Sequence, residues 1–73
     1  MASAEAREQF ARNLRTQRLR RGLSKEALAD ACGLHRTEVS PLERAGRDPR
    51  LSTITRLARA LRIPAAALLD GIE

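Results

Sequence analysis

The chain has 73 residues, of which 42% are hydrophobic and 32% are charged, and its 14 basic and 9 acidic side chains give a net charge of +5. A chain of this length forms one small domain that buries about 60% of its unfolded surface, so we predict a single domain over residues 1–73 with its core at about 10–70. The composition is too apolar for a disordered chain, and no apolar run reaches the roughly 18 residues of a membrane span. The first residues also lack the apolar segment of a signal peptide, and we therefore expect a cytoplasmic protein.

The residue types favour helices over strands. Alanine and leucine supply most of the apolar side chains and Phe10 is the only aromatic, whereas sheets prefer β-branched and aromatic residues. Cys32 has no second cysteine to pair with, and one His with one Cys cannot form a tetrahedral metal site. No nucleophile triad, carboxylate pair or glycine-rich phosphate loop is present. We expect an all-α protein that is not an enzyme and has no cofactor, metal or small-molecule effector.

Cap and stop signals predict the first two helices. Ser3 can cap the first, which ends near residue 21, and Gly22 suits the left-handed position that follows a helix. Ser24 caps the second helix and Gly33 ends it.

Three further helices follow. The third covers roughly residues 36–45 and is closed by Gly46, the fourth covers residues 51–61, and Pro64 begins a short fifth helix that Gly71 ends. The fourth carries the i, i+3, i+7 spacing of a buried stripe, and its predicted inward residues are Leu51, Ile54, Leu57, Ala58 and Leu61.

Pro41 falls inside the third predicted helix. There it would remove a hydrogen bond to the carbonyl of Thr37 and disfavour helical geometry at Ser40. Because a full helix would cost on the order of 3 kcal/mol, the helix either kinks at Pro41 or is shorter than residues 36–45.

The second and third helices are joined with the spacing of a helix-turn-helix. Counted from Lys25 as position one, Ala29 is fifth and Gly33 ninth, while Val39 is fifteenth and Leu42 eighteenth. A small residue at the fifth position allows a close helix crossing, and glycine at the ninth supplies the positive φ of a tight turn. The two apolar residues fasten the third helix to the core.

Two longer strings carry a more specific resemblance, LRTQRLRRGLSKEALADACGL and HRTEVSPLERAGRDPRLSTITRLARAL. From Leu14 to Leu69 the chain resembles the phage-repressor (XRE) family of helix-turn-helix proteins, the group of lambda repressor and Cro. It also resembles, more narrowly, restriction-modification controller proteins, which carry a similar LxRTxxSxxER segment. The resemblance implies a compact five-helix bundle that binds a double-stranded DNA operator as a transcriptional regulator and homodimer.

In such a unit the third helix enters the major groove by its N-terminal end. By the resemblance, Arg36 and Thr37 fall on base-reading positions. Arg36 can donate two hydrogen bonds to guanine, with a phosphate contact as the alternative, and Thr37 can meet a thymine methyl or a base acceptor. Ser40 lies on the same side, and Glu38 either accepts from cytosine N4 or favours the helix dipole. Because Pro41 offers no hydrogen-bond donor in this helix, we expect base contacts to be concentrated on Arg36 and Thr37.

Phosphate contacts are expected from side chains around this helix. Ser24 places a hydroxyl and free N–H groups at the start of the second helix, and Lys25 beside it favours phosphate. Arg44, Arg47 and Arg50 resemble the family's backbone clamp, although Arg50 is also interpretable as a solvated loop charge.

Other residues are interpreted as structural. The resemblance implies a salt bridge between Arg18 and Glu43 that joins the first and third helices. His35, at the edge of the third helix, either contacts phosphate or caps it poorly. Cys32 is interpreted as a small buried hydrophobe rather than a redox switch.

The C-terminal end supplies the predicted homodimer interface, Leu68, Leu69 and Ile72. These residues are more apolar than a short fifth helix requires, and the family often dimerises through this end. The alternative is that they close the core over the fourth helix. The same face would serve the second function considered, an antitoxin-like or adaptor module whose main partner is another protein.

Overall fold

The computed structural model of the chain describes residues 3–73, so the first two residues of the predicted domain lie outside the described part. Within that part the chain forms five helices and no strand, as the sequence predicts, in a body of 28 × 22 × 20 Å. The helices are α1 (Ala4–Arg20), α2 (Lys25–Cys32), α3 (Val39–Glu43), α4 (Leu51–Leu61) and α5 (Ala65–Leu68). Helix α1 packs against α3 and α5, while α2 packs against α3 and α4. None of the described helices is both long and apolar enough to cross a membrane.

Local signals set the ends of α1 and α2. Ser3 Oγ accepts from the Ala6 N–H at 3.1 Å, and Ser24 Oγ accepts from the Ala27 N–H at 3.0 Å. Gly33 follows α2 with a φ of +73°. The predicted caps and the predicted glycine stop are therefore confirmed.

The core is built from leucines and small residues of all five helices. The largest fully buried side chains are Leu14, Leu28, Leu57, Leu61, Leu68 and Val39. The prediction that Leu51 belongs to the buried stripe of α4 is wrong, because its exposed fraction is 75%. Leu51 is the first residue of α4, and burial along that helix begins only one turn later, at Ile54.

Helix α3 is shorter than predicted, five residues instead of about ten. Residues 36–38 form a turn before it, and Pro41 is the third residue of the helix. The first turn of a helix has no internal acceptors for its N–H groups, so proline costs no hydrogen bond at that position. Of the two predicted alternatives, the structure adopts the shorter helix.

The end of α3 also differs from the prediction. Gly46 was expected to close the helix, but the left-handed residue is Ala45, with a φ of +60°. The Gly46 N–H donates to the carbonyl of Pro41 at 2.9 Å. This bond spans five residues, as in a Schellman motif, and the motif places the positive φ one residue before the glycine.

Candidate nucleic-acid interface

Helices α2 and α3 form the predicted helix-turn-helix. After the left-handed Gly33, the Leu34 N–H donates to the carbonyl of Ala29 at 2.9 Å and closes the end of α2. Ala29 and Val39 have no exposed surface, so both helices are fixed to the core by the positions that the spacing identified. The segment between them is left on the surface.

A hydrogen-bonded turn, residues 35–38, lies immediately before α3, and we call it the readout turn. The Glu38 N–H donates to the carbonyl of His35 at 2.9 Å, and the His35 N–H donates to Glu38 Oε2 at 2.7 Å. The Thr37 N–H donates to His35 Nδ1 at 3.2 Å. These bonds form a reciprocal cap of the kind that Ser and Glu make in a capping box.

The cap bears on two sequence interpretations. The alternative that His35 caps poorly is wrong, because its ring accepts a backbone hydrogen bond in the turn. Glu38 stays a candidate for base readout, with one oxygen of its carboxylate bound to the His35 N–H. The sequence contains a signal for this arrangement, since a cap residue followed three positions later by Glu is the capping-box spacing.

The readout turn presents Arg36 and Thr37 to solvent, and both side chains are exposed. They lie before α3 and not within it, contrary to the prediction that they belong to the helix. Ser40, in the first turn of α3, is half-buried. The accessible polar groups of this region are therefore concentrated at its N-terminal end.

Exposed basic side chains lie at the start of α2, at the end of α3 and in the loop that follows it. Lys25 begins α2 beside its Ser24 cap, and both are exposed, as are Arg44, Arg47 and Arg50. One surface depression is lined by Glu38 of the readout turn, by the loop after α3 with Arg47 and Arg50, and by the first two turns of α4 with Arg56. The structure thus brings the loop arginines next to the readout turn. Arg56, which sequence reasoning did not single out, extends the basic rim along α4.

The ion pair implied by the resemblance is present and well shielded. Arg18 Nε lies 2.6 Å from Glu43 Oε2 and Arg18 Nη2 lies 3.0 Å from Oε1, while Nη1 donates to the carbonyl of Leu23 at 2.9 Å. The exposed fractions of the two side chains are 9% and 5%. The hydrogen bond with Glu43 raises the pKa of the Arg18 guanidinium, so it stays charged. The pair fastens the last residue of α3 to α1.

A second ion pair, which sequence reasoning missed, joins α1 to the loop after α3. Arg7 Nη1 lies 3.5 Å from Asp48 Oδ1, and the exposed fractions of the side chains are 29% and 33%. Because Asp48 follows Arg47 and precedes Arg50 by two residues, this pair anchors the loop that carries both arginines. Its partners are far apart in the sequence, and their spacing gives no local signal.

The C-terminal residues divide between core and surface. Leu68 has no exposed surface, which corrects its assignment to a dimer interface, because a side chain inside the core cannot contact a second copy. Leu69 is 41% exposed and Ile72 is half-buried. Asn13, also missed from the sequence, donates to the carbonyls of Leu68 at 3.0 Å and Asp70 at 2.8 Å and holds this end against α1.

Cys32 lies at the end of α2 with an exposed fraction of 8%. Burial raises the pKa of its thiol, and its Sγ donates to the carbonyl of Ala29 at 3.6 Å. The surroundings are those of a small buried hydrophobe, as the sequence indicated.

The fold and this surface define a helix-turn-helix regulatory protein. The family model described as "Helix-turn-helix domain" matches residues 9–70, and the chain belongs to that family. The relatives of the chain are regulators and not enzymes. The chain therefore belongs to the class of DNA-binding regulators.

The individual relatives indicate a narrower group of proteins than the family does. The chain is 42% identical over 65 residues to the control protein C.SmaI of Serratia marcescens, an alignment that covers 89% of this chain and 77% of that protein. A hypothetical transcription factor from Neisseria superimposes with a TM-score of 0.85 and 40% identity, over 94% of this chain and 80% of that one. The restriction-modification controller protein C.AhdI from Aeromonas hydrophila gives a TM-score of 0.83 and 40% identity, over 85% and 94% of the two chains. The resemblance to controller proteins is therefore confirmed.

Proposed function

We propose that the chain is a sequence-specific transcriptional regulator that binds a pseudo-palindromic double-stranded DNA operator as a homodimer. The observation that carries the proposal is the exposed pair Arg36 and Thr37 on a capped turn at the N-terminal end of α3. In helix-turn-helix proteins this end of the recognition element meets base edges. Arg36 has the planar fork that matches guanine O6 and N7, and a base contact there would supply specificity.

Phosphate contacts around the turn supply affinity in this proposal. Ser24 and Lys25 stand at the start of α2, where backbone N–H groups and the helix dipole favour an anion. Arg47 and Arg50 flank the loop that the Arg7–Asp48 pair anchors. Arg44 at the end of α3 is the fifth proposed contact, while Ser40 and the free oxygen of Glu38 are secondary candidates for base contacts.

The proposed dimer forms through the C-terminal face. Leu69 and Ile72 line an apolar depression together with Phe10, Pro49 and Ile54. An exposed apolar surface of this kind is typical of an association site. A dimer would present two readout turns to half-sites about one helical turn of DNA apart.

The biological setting follows from the relatives. Control proteins of restriction-modification systems share this size and fold, and we propose the same regulatory role here, carried out in the cytoplasm where the operator would lie. We also propose that the concentration of the protein, through dimerisation, sets occupancy of the operator, with no small-molecule effector.

Selection of bound sites from a random duplex library tests the proposal. The expected result is a two-part palindromic motif. A dimer with about 6 to 10 phosphate contacts should lose affinity with salt at a log–log slope between about −5 and −9. Arg36→Ala should cost about 1–3 kcal/mol on the preferred site and little on a site already mismatched at that base pair.

Two further variants separate phosphate from base contacts. Arg50→Ala should weaken all duplexes alike and reduce the salt slope by about two, because the dimer loses one phosphate contact in each protomer. The matched control is Arg62→Ala, at the opposite end of α4 and about 18 Å away along the helix, which should change neither. A flat salt dependence with no selected motif would contradict the proposal and favour the adaptor alternative, whose partner is a protein.

A further inference from the structure

The hydrogen bonds of His35 fix the direction in which the Thr37 hydroxyl points its proton. His35 Nδ1 accepts from the Thr37 backbone N–H at 3.2 Å and lies 2.8 Å from Thr37 Oγ1. A ring nitrogen that accepts from a backbone N–H carries no proton, so the neutral imidazole holds its proton on Nε2. The Thr37 hydroxyl therefore donates its only proton to Nδ1.

We propose that neutral His35 makes Thr37 a hydrogen-bond acceptor at the DNA, specific for the exocyclic amino group of adenine or cytosine. With its proton committed, the hydroxyl presents only oxygen lone pairs to a partner. In the major groove the hydrogen-bond donors are adenine N6 and cytosine N4, whereas N7, guanine O6 and thymine O4 are acceptors. The inference rests on the proposed function and replaces the expectation that Thr37 meets a base acceptor.

His35 thus acts as a positioning residue for readout, because its proton-free Nδ1 lies within hydrogen-bond distance of Thr37 Oγ1 and takes the hydroxyl proton away from the DNA.

The first test uses the operator obtained by site selection at a pH of about 8. Comparison of the parent with Thr37→Val on single-base variants identifies the base pair that Thr37 contacts. At that pair, purine in place of adenine, or 2-pyrimidinone in place of cytosine, removes the amino group. The analogue should weaken binding by the parent on the order of tenfold and should not weaken binding by Thr37→Val.

The second test uses His35 variants at the same base pair. His35→Ala should lower the ratio of matched to mismatched affinity several-fold, because the Thr37 hydroxyl loses the acceptor that holds its proton. His35→Asn is the matched control, since its amide oxygen accepts hydrogen bonds in the turn, and its ratio should be unchanged.

Three results would overturn the inference while the proposed function stands: an operator bound specifically with no position sensitive to Thr37→Val, an amino-free analogue bound as tightly as the parent base, or an unchanged ratio for His35→Ala. Absence of any sequence preference would instead refute the proposed function, and this inference with it.

Discussion

Arg18→Met is expected to destabilise the fold by about 3–5 kcal/mol, because it leaves a shielded carboxylate without its counter-ion. Arg18 makes two hydrogen bonds to Glu43 and one to the carbonyl of Leu23. Methionine keeps the aliphatic stem but makes none of these bonds, and the remaining Glu43 side chain is only 5% exposed. A domain of 73 residues has a total stability of roughly 4–11 kcal/mol, so this one change should remove a large share of it.

Arg7→Met is the matched control for the same chemical change. The Arg7–Asp48 contact is longer, 3.5 Å, and about a third of the partner side chain is exposed. Solvent screening limits such a pair to about 1 kcal/mol or less. The two variants therefore differ in the shielding of the lost ion pair and not in the residue replaced.

Urea unfolding followed by helical circular dichroism measures both free energies. Each variant is compared with the parent at one protomer concentration, because the proposed dimerisation would contribute to apparent stability. The double variant Arg18→Met/Glu43→Leu should recover most of the loss, since an apolar pair replaces the buried charges. Equal midpoints for Arg18→Met and Arg7→Met would refute the reasoning that shielding makes the α1–α3 pair costly to break.

Two further predictions concern single residues. Ala45 and Gly33 both have left-handed backbone angles, and a Cβ is strained in that conformation. Ala45→Gly should therefore raise the free energy of unfolding by about 1 kcal/mol, and Gly33→Ala should lower it by a similar amount. Denaturant titration measures both changes. Apart from Gly33 and its two chain neighbours, no atom of residues 3–73 lies within 4 Å of the position that a Cβ would take at Gly33, so a clash cannot explain a loss at that position. The Cys32 thiol should react with a disulfide reagent at neutral pH only after unfolding. Burial raises the pKa of the Cys32 thiol in the folded state. The contribution of the thiol to stability is therefore complete below the ordinary thiol pKa and declines as the pH rises above that value. Cys32→Ala should remove this decline.

Local sequence signals predicted the parts of the fold that local interactions determine. The serine caps and Gly33 act within four residues of their own position, and the structure has them as predicted. The spacing of Ala29 and Val39 combines the period of each helix with the length of the turn between them, which is also a local feature. These features needed no knowledge of distant contacts.

The incorrect predictions concern residues whose burial depends on their position in the tertiary structure. Leu51 and Leu68 both fit an apolar pattern, but the pattern cannot say that one lies at the uncovered start of α4 and the other inside the core. Asn13 and the Arg7–Asp48 pair connect residues remote in sequence and had no spacing to reveal them. The capping bonds of His35 were within reach of sequence reasoning, because the Glu that completes the cap lies three residues later.

The brevity of α3 explains why contacts at both of its ends matter for the candidate site. A helix of five residues has no independent stability, since nucleation alone is unfavourable. The His35–Glu38 cap holds the turn before α3, and the ion pair of Glu43 with Arg18 holds its last residue to α1. Pro41 restricts the backbone between these two anchors without losing a helical hydrogen bond. The orientation of Arg36 and Thr37 is therefore set by the contacts at each end of α3 and not by helix propensity, and loss of either anchor should disturb base readout more than the helix content alone would indicate.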